Sequence, residues 1–325
     1  MQRCFDLAVK SHGYTYPNPL VGCVIVSDKK IISESWHERA GEDHAEVIAI
    51  KKIKEKRKLK KSILYVNLEP CCHTGKTPPC TELIIKSGIK NVVIGCLDPN
   101  ANVNGKGVKE LVKNGINVVV GVCEEQALEL NKRFFCLHEK KRPYIILKWA
   151  ESKDGFIGPK KNTKTQGKVN YLTKMKDRVL VHKWRKEEES ILIGVQTLID
   201  DNPKLTNRYC HGRSPIKIIF DPNDRSDKCS NVFKSNNYLH LTNKMLKIKK
   251  NNKNVFMEKA LEFLFKKEIS SILVEGGRFT IQEFINQNIF DEIRIFKTNK
   301  KLNEGTRAPI ILKNIEEKKI KIYKS

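Results

Sequence analysis

Short apolar runs alternate with amphipathic stretches along most of the chain, and the spacing switches between strand and helix periods at regular intervals. Residues 2–12 read as a first helix, with Phe5, Leu7, Ala8 and Val9 apolar. Leu20 to Val26 is uninterruptedly apolar, as expected of a strand without a wet face. Residues 31–36 read as its antiparallel partner across Ser27-Asp28-Lys29-Lys30. Asp43 is a natural N-cap for a helix from His44 to Lys54, which puts His44 and Glu46 in the first turn. The pattern continues with a strand at 63–68, a helical turn opened by Pro70 and Cys71, a strand at 91–96 and a helix at 107–113. A strand at 117–122 and a helix at 124–138 complete this half. Such alternation predicts an α/β fold, here a three-layer α/β/α sandwich with ligands at the strand C-termini.

A charged, proline-ended connector, Lys140-Lys141-Arg142-Pro143, separates this half from a second run of elements. A break there gives domains 1–143 and 144–325, both of ordinary size. The second half offers strands at 144–150, 190–194 and 216–221 and a helix at 178–188. Its clearest motif is Ser271 to Thr280, an apolar strand ending in Gly276-Gly277 with a helix starting at once. Bare backbone N–H groups at such a junction suit a cofactor's pyrophosphate. No G-x-G-x-x-G occurs, so a Rossmann domain is not supported.

Composition changes the picture in two places. The net charge of +25 invites a nucleic-acid partner, but the lysines are spread along the chain without interleaved aromatics and no binding motif accompanies them. No dedicated nucleic-acid partner is expected, and the field would still draw in phosphorylated small substrates. Ten cysteines at irregular spacing do not form a secreted disulfide framework. With no signal-peptide h-region and no apolar run of transmembrane length, the expectation is a cytoplasmic protein with no membrane contact, compatible with a homo-oligomer.

The candidate chemistry lies in Asp43-His44-Ala45-Glu46 and in Leu68 to Cys80. One His and two Cys supply three zinc ligands and leave the fourth position for water, the mark of a catalytic zinc. A nucleobase deaminase pairs H-x-E with P-C-x-x-C and uses the Glu as general acid/base. Here eight residues, containing Gly75, Pro78 and Pro79, separate Cys71 from Cys80, which is long enough to loop back to the metal. Cys72 competes with Cys71 for the metal; adjacent side chains point apart, so Cys72 is expected to be a spectator.

Four tracts, Tyr16 to Val26, Ser35 to Gly41, His44-Ala45-Glu46 and Glu69 to Cys80, together resemble the bifunctional riboflavin-biosynthesis deaminase–reductases, in which the long cysteine spacing is usual. The resemblance spans nearly the whole chain. It implies a cytidine-deaminase-like first domain with Zn2+ on His44, Cys71 and Cys80, Glu46 as catalytic acid/base, and Asn18, His37 and Lys76 lining the substrate site. It implies a dihydrofolate-reductase-like second domain with NADPH. Ala150, Tyr171, Thr197, Asp201 and Gly277 would contact that cofactor, and Arg185, Leu205, Arg208 and Glu275 the substrate. The reaction implied is hydrolytic deamination of a phosphoribosylaminopyrimidine, then NADPH-dependent reduction of its ribosyl group to ribityl. The second half departs from the family's pattern at Lys153, Val169 and Arg278. The residues also leave open a deaminase with a non-catalytic reductase-like half, a tRNA adenosine deaminase, and a zinc-stabilised binding protein.

Overall fold

Residues 1–74, 78–159, 171–249 and 252–325 are described by the computed structural model, and the chain divides into two units, Met1–Lys141 and Arg142–Ser325. The first contains α1 (Gln2–Ala8), β1 (Gly22–Ser27), β2 (Lys30–Trp36), α2 (Ala45–Lys52), β3 (Ile63–Leu68), α3 (Cys80–Ser87) and β4 (Asn91–Cys96). It continues with α4 (Lys106–Lys113), β5 (Asn117–Val120), α5 (Glu124–Leu130) and α6 (Lys132–Lys140). Its sheet runs β2-β1-β3-β4-β5, with β1 antiparallel to both neighbours and β3, β4 and β5 parallel.

The two-residue period of the strands sets the layers. Cys23, Ile25, Leu64, Val66, Val92 and Ile94 face one way, onto Ala49 and Ile50 of α2 and Ile84 of α3. Val24 and Tyr65 face the other way, onto Cys4 and Leu7 of α1, while Leu68 and Cys96 meet Ala127 of α5 and Phe134 of α6. The first unit is thus a three-layer sandwich. Gly22 permits the close approach of α1: a Cβ there would lie 2.1 Å from the Cys4 carbonyl oxygen.

Three local expectations are corrected. His44, not Asp43, is the N-cap of α2, since its backbone is extended (φ −70, ψ 160) and Asp43 is paired to Lys51 instead. Pro70 and Cys71 form no helical turn; the helix starts at Cys80. The long helix expected over 124–138 is broken at Asn131, whose side chain is recruited elsewhere. Its Oδ1 accepts from Leu20 N at 2.8 Å and its Nδ2 donates to Leu20 O at 3.0 Å. Asn67 does the same work from β3, bonding Gly22 N at 2.7 Å and Leu20 O at 2.9 Å. Both amides are buried, and together they fix the segment that carries Asn18.

The second unit contains β6 (Tyr144–Glu151), β7 (Phe156–Gly158), α7 (Met175–Glu187), β8 (Ser190–Gly194), α8 (Val195–Asp201) and β9 (Ile216–Phe220). Then follow β10 (Tyr238–Leu241), α9 (Lys253–Lys266), β11 (Ser271–Gly276), α10 (Arg278–Asn286), β12 (Glu292–Lys297), β13 (Thr306–Arg307) and β14 (Ile320–Lys324). Seven strands in the order β10-β9-β8-β11-β6-β12-β14 form a sheet in which every neighbouring pair is parallel. A parallel sheet needs cover on both faces, hence its continuous apolar runs. Ile145, Leu147, Ile272 and Val274 pack under Phe256 and Leu264 of α9 and Phe284 of α10. Ile191, Ile193 and Ile219 pack on the opposite side against Leu198, Leu205 and Val232. The C-terminal ends of β8 and β11 thereby present Gly194 and Gly276-Gly277 side by side.

Candidate active sites

In the first unit, His44, Cys71 and Cys80 bring one nitrogen and two sulfurs within 4.8 Å of one another. The α2 cap supplies the imidazole, the loop after β3 supplies Cys71, and the first residue of α3 supplies Cys80. His44 Nδ1 lies 3.3 Å from Cys80 Sγ and 3.5 Å from Cys71 Sγ, and Cys80 N donates to Cys71 Sγ at 3.4 Å. Hydrogen bonds from the Cys80 thiol, then from His44, hold the Cys71 thiol well below its ordinary pKa against the opposing effect of burial. The same sulfur raises the pKa of His44. The three donors converge on one point and exchange hydrogen bonds there, and a cation that favours thiolate and imidazole would displace those protons. Cys72 turns away, its Sγ 3.7 Å from the Asn102 carbonyl oxygen.

Glu46 is buried behind this group and hydrogen-bonded to Cys80; burial, above all, raises its pKa. His37 stacks edge-on to His44, with ring centres 5.4 Å apart. Its Nδ1 donates to the Asp43 carbonyl at 3.1 Å, which leaves Nε2 to accept from Asn18 Nδ2 at 3.0 Å. Burial lowers the His37 pKa, in keeping with a neutral ring. The amide oxygen of Asn18 is thereby turned out of this pair. Lys76 lies outside the described residues.

Glu69 had no role assignable from sequence. Its buried carboxylate accepts from Asp98 N, Gly105 N and Val108 N at 3.2, 2.9 and 3.0 Å, so it organises the whole 98–108 loop. Gly107 permits this approach: a Cβ there would meet Pro70 O at 2.3 Å. A Glu directly before Pro-Cys at a strand end was the available signal.

In the second unit, a cavity of about 510 Å³ is lined by Ala150, Tyr171, Thr197, Asp201, Gly277, Arg185, Leu205, Arg208 and Glu275, every residue expected there from sequence. Arg185 is already engaged. Its Nε and Nη2 donate to the two oxygens of Glu275 at 2.7 and 2.8 Å, and its Nη1 donates to Thr206 O at 3.1 Å. Lys148 Nζ lies 3.7 Å from the same carboxylate. Burial opposes the charge on Glu275, but Arg185 and then Lys148 outweigh it and hold the carboxyl at about 2. His182 accepts from Arg208 N at 2.8 Å; burial, with Arg185 and Arg208, lowers its pKa to about 4. Arg185, expected to contact the substrate, thus already pairs with Glu275, while the Arg208 guanidinium donates to Thr206 Oγ1 at 3.1 Å and lies over the Tyr209 ring.

Glycines at the ends of β8 and β11 let the following helices pack closely on the strands. A Cβ at Gly277 would meet Thr197 Oγ1 at 2.7 Å, and one at Gly194 would meet Thr280 Oγ1 at 2.3 Å. A second cavity of about 570 Å³ shares Ile157, Thr197, Asp201 and Gly277 with the first and continues past α10.

Residues 143–311 match the model of the RibD C-terminal domain, and residues 1–96 match that of the cytidine and deoxycytidylate deaminase zinc-binding region. The riboflavin biosynthesis protein RibD of Aquifex aeolicus is 40% identical over 98% of this chain and 91% of its own length. The chain belongs to the RibD family. The Escherichia coli RibD protein is 31% identical over 98% of this chain and 91% of its own. A Thermotoga maritima structure, a diaminohydroxyphosphoribosylaminopyrimidine deaminase/5-amino-6-(5-phosphoribosylamino)uracil reductase, superposes with a TM-score of 0.84 at 36% identity, covering 97% of this chain and 91% of that one. Acinetobacter baumannii RibD gives 0.83 at 30% identity, covering 97% and 90%.

As a RibD chain, this is a bifunctional enzyme of riboflavin biosynthesis, a deaminase and a reductase that use zinc and NADPH. The RibD match over the second half displaces the tRNA adenosine deaminase reading. Among the described residues, no helix is long and apolar enough to cross a membrane. Of the departures from the RibD pattern, Lys153 is exposed in the turn between β6 and β7 and does not line the cavity. Arg278 lines the second cavity, and Val169 lies outside the described residues. Sequence reasoning missed Lys148, although a lone lysine inside the apolar run Tyr144 to Ala150 was a legible sign of a buried charge with a partner.

Proposed function

We propose that His44, Cys71 and Cys80 hold the zinc, that Glu46 carries the protons of the deamination, and that the second unit's cavity takes the deaminated product beside NADPH. The substrate of the first site is read as 2,5-diamino-6-(5-phosphoribosylamino)pyrimidin-4-one. The observation that carries this reading is the convergence of three donor atoms within 4.8 Å beside a buried carboxylate. Zinc, when bound, supplies a Lewis acid that makes water nucleophilic near neutral pH. Glu46 takes the proton that water sheds and hands it to the departing amine, two transfers suited by a carboxyl whose pKa burial has raised. Asn18, locked onto neutral His37, offers its amide oxygen to an amino group of the pyrimidine. Lys76 is assigned to the substrate site on the family resemblance alone.

In the second unit NADPH supplies the hydride, delivered to C1 of the ribosyl group. Gly276-Gly277 at the start of α10 leaves bare backbone for its pyrophosphate, flanked by Thr197, with Ala150, Tyr171 and Asp201 in the same wall. Arg208 binds the substrate phosphate, Leu205 closes the cavity floor, and the Arg185–Glu275 pair presents fixed charges to the sugar. When C1 accepts hydride the ring C1–O bond opens, and the released oxygen takes a proton; Lys148 Nζ, whose pKa burial lowers, lines the same cavity and can give it. A cytoplasmic setting completes the reading. The test is to supply the pyrimidine and NADPH together and follow ammonia, NADPH oxidation and product mass. Ammonia with stoichiometric NADPH oxidation is expected; ammonia alone means the second unit is a scaffold.

A further inference from the structure

The loop that carries Arg208 is held in place from outside itself. Leu205, buried at its start, has φ 52, a left-handed conformation that a bulky side chain adopts only under constraint. Residues 205–210 are tied to α7 at three points. Arg185 Nη1 donates to Thr206 O at 3.1 Å, Arg208 N donates to His182 Nδ1 at 2.8 Å, and Cys210 Sγ lies 3.6 Å from Val179 O. The middle bond is the shortest of the three and is made by the backbone of Arg208 itself. Positions 182 and 185 share one face of the helix, so both side chains reach the cavity wall together.

That bond also fixes the chemical form of the imidazole. A neutral ring that accepts at Nδ1 carries its one proton at Nε2. Arg185 Nη1, 3.4 Å from Nε2, is a donor already engaged with Thr206 O, so the two nitrogens make no bond in this form. A second ring proton would set one N–H against that of Arg208 and place a third cation beside Arg185 and Arg208. Burial first, then those two arginines, resist it. Tyr209 covers the ring from the loop side, with ring centres 4.4 Å apart, and the imidazole is only 4% exposed. Its place between helix and loop is therefore set on every side, and its free lone pair is spent on the loop.

We infer that His182 is a positioning residue of the reductase: through Nδ1 it holds the backbone of Arg208 and so aims that guanidinium at the anionic end of the substrate. The inference rests on the reading of Arg208 as a substrate contact. It is tested with the full chain, supplied with the deaminated pyrimidine and NADPH, in H182F, H182A, H182N, R208A and the double variant H182F/R208A. H182F keeps an aromatic ring against Tyr209 but has no acceptor, and H182A removes the acceptor without the ring. Losing the hydrogen bond and the aim of one charged contact should raise KM for the pyrimidine by about 5–30-fold in both. The kcat and the KM for NADPH should stay within about twofold, since neither depends on where Arg208 points. H182N, whose amide oxygen falls near the place of Nδ1, should recover most of the loss. In the R208A background the H182F change should add less than about twofold, because its effect passes through Arg208. Losses that multiply in the double variant, a kcat loss at constant KM, or an H182N as impaired as H182A overturn the positioning role. An unchanged KM in R208A overturns instead the reading of Arg208 as a substrate contact.

Discussion

Replacing Glu275 by Gln tests whether the buried charges of the reductase cavity are arranged as described. Glu275, Arg185 and Lys148 have side chains only 9%, 12% and 14% exposed, so solvent screens them little. The substitution keeps shape but removes the charge that accepts both Arg185 donors, and it leaves two cations facing each other. Breaking a buried pair by deleting one partner costs about 3–5 kcal/mol, a large share of the ~5–15 kcal/mol that holds a domain together. With a urea m-value of about 2 kcal/mol/M, the transition of this unit moves down by roughly 1.5–2.5 M. Trp149 and Trp184 both lie in this unit and report its unfolding by fluorescence. Adding K148M should return part of the loss, because it removes one of the stranded cations. The pH dependence has a definite sign. The folded carboxyl sits at about 2, below its ordinary value of 4.5, so its stabilisation is complete above about pH 5 and disappears as pH falls toward 2. The gap between unmodified chain and variant must therefore narrow across that window. A cost under about 1 kcal/mol at pH 7, typical of an exposed pair, refutes the reasoning.

Further outcomes follow from the same geometry. E46Q should keep stoichiometric zinc by mass spectrometry yet lose ammonia release by about 10³-fold or more, because an amide cannot carry the proton; undiminished turnover removes Glu46 from the mechanism. C72S should leave zinc content unchanged while C71S and C80S lose it, and metal loss in C72S means that the wrong thiol has been assigned. R208A should raise the reductase KM by about 10–100-fold with a much smaller change in kcat, as expected for a phosphate contact formed before the hydride moves; a kcat loss at constant KM places Arg208 elsewhere.

Residue type and spacing pointed to His44, Cys71 and Cys80, and the fold brings those three side chains together. His and Cys are among the few side chains that bind zinc, and a Glu two positions from the His falls where it can reach a metal-bound water. The buried strands were also legible, 63–68, 91–96 and 190–194 to the residue, because an apolar run cannot tolerate water. What the sequence could not show was where distant side chains intervene. Asn131 breaks a helix for the sake of Leu20, more than a hundred residues away in the chain. His44 displaces Asp43 as cap, and Cys80 rather than Cys71 takes the helix start. Arg185 meets Glu275 across 90 residues, a pairing that no local pattern records. Local periodicity records only burial along one element. A buried polar group is settled by the partner that folding brings to it, and the partners of Lys148 and Glu69 exist only once the sheets have closed.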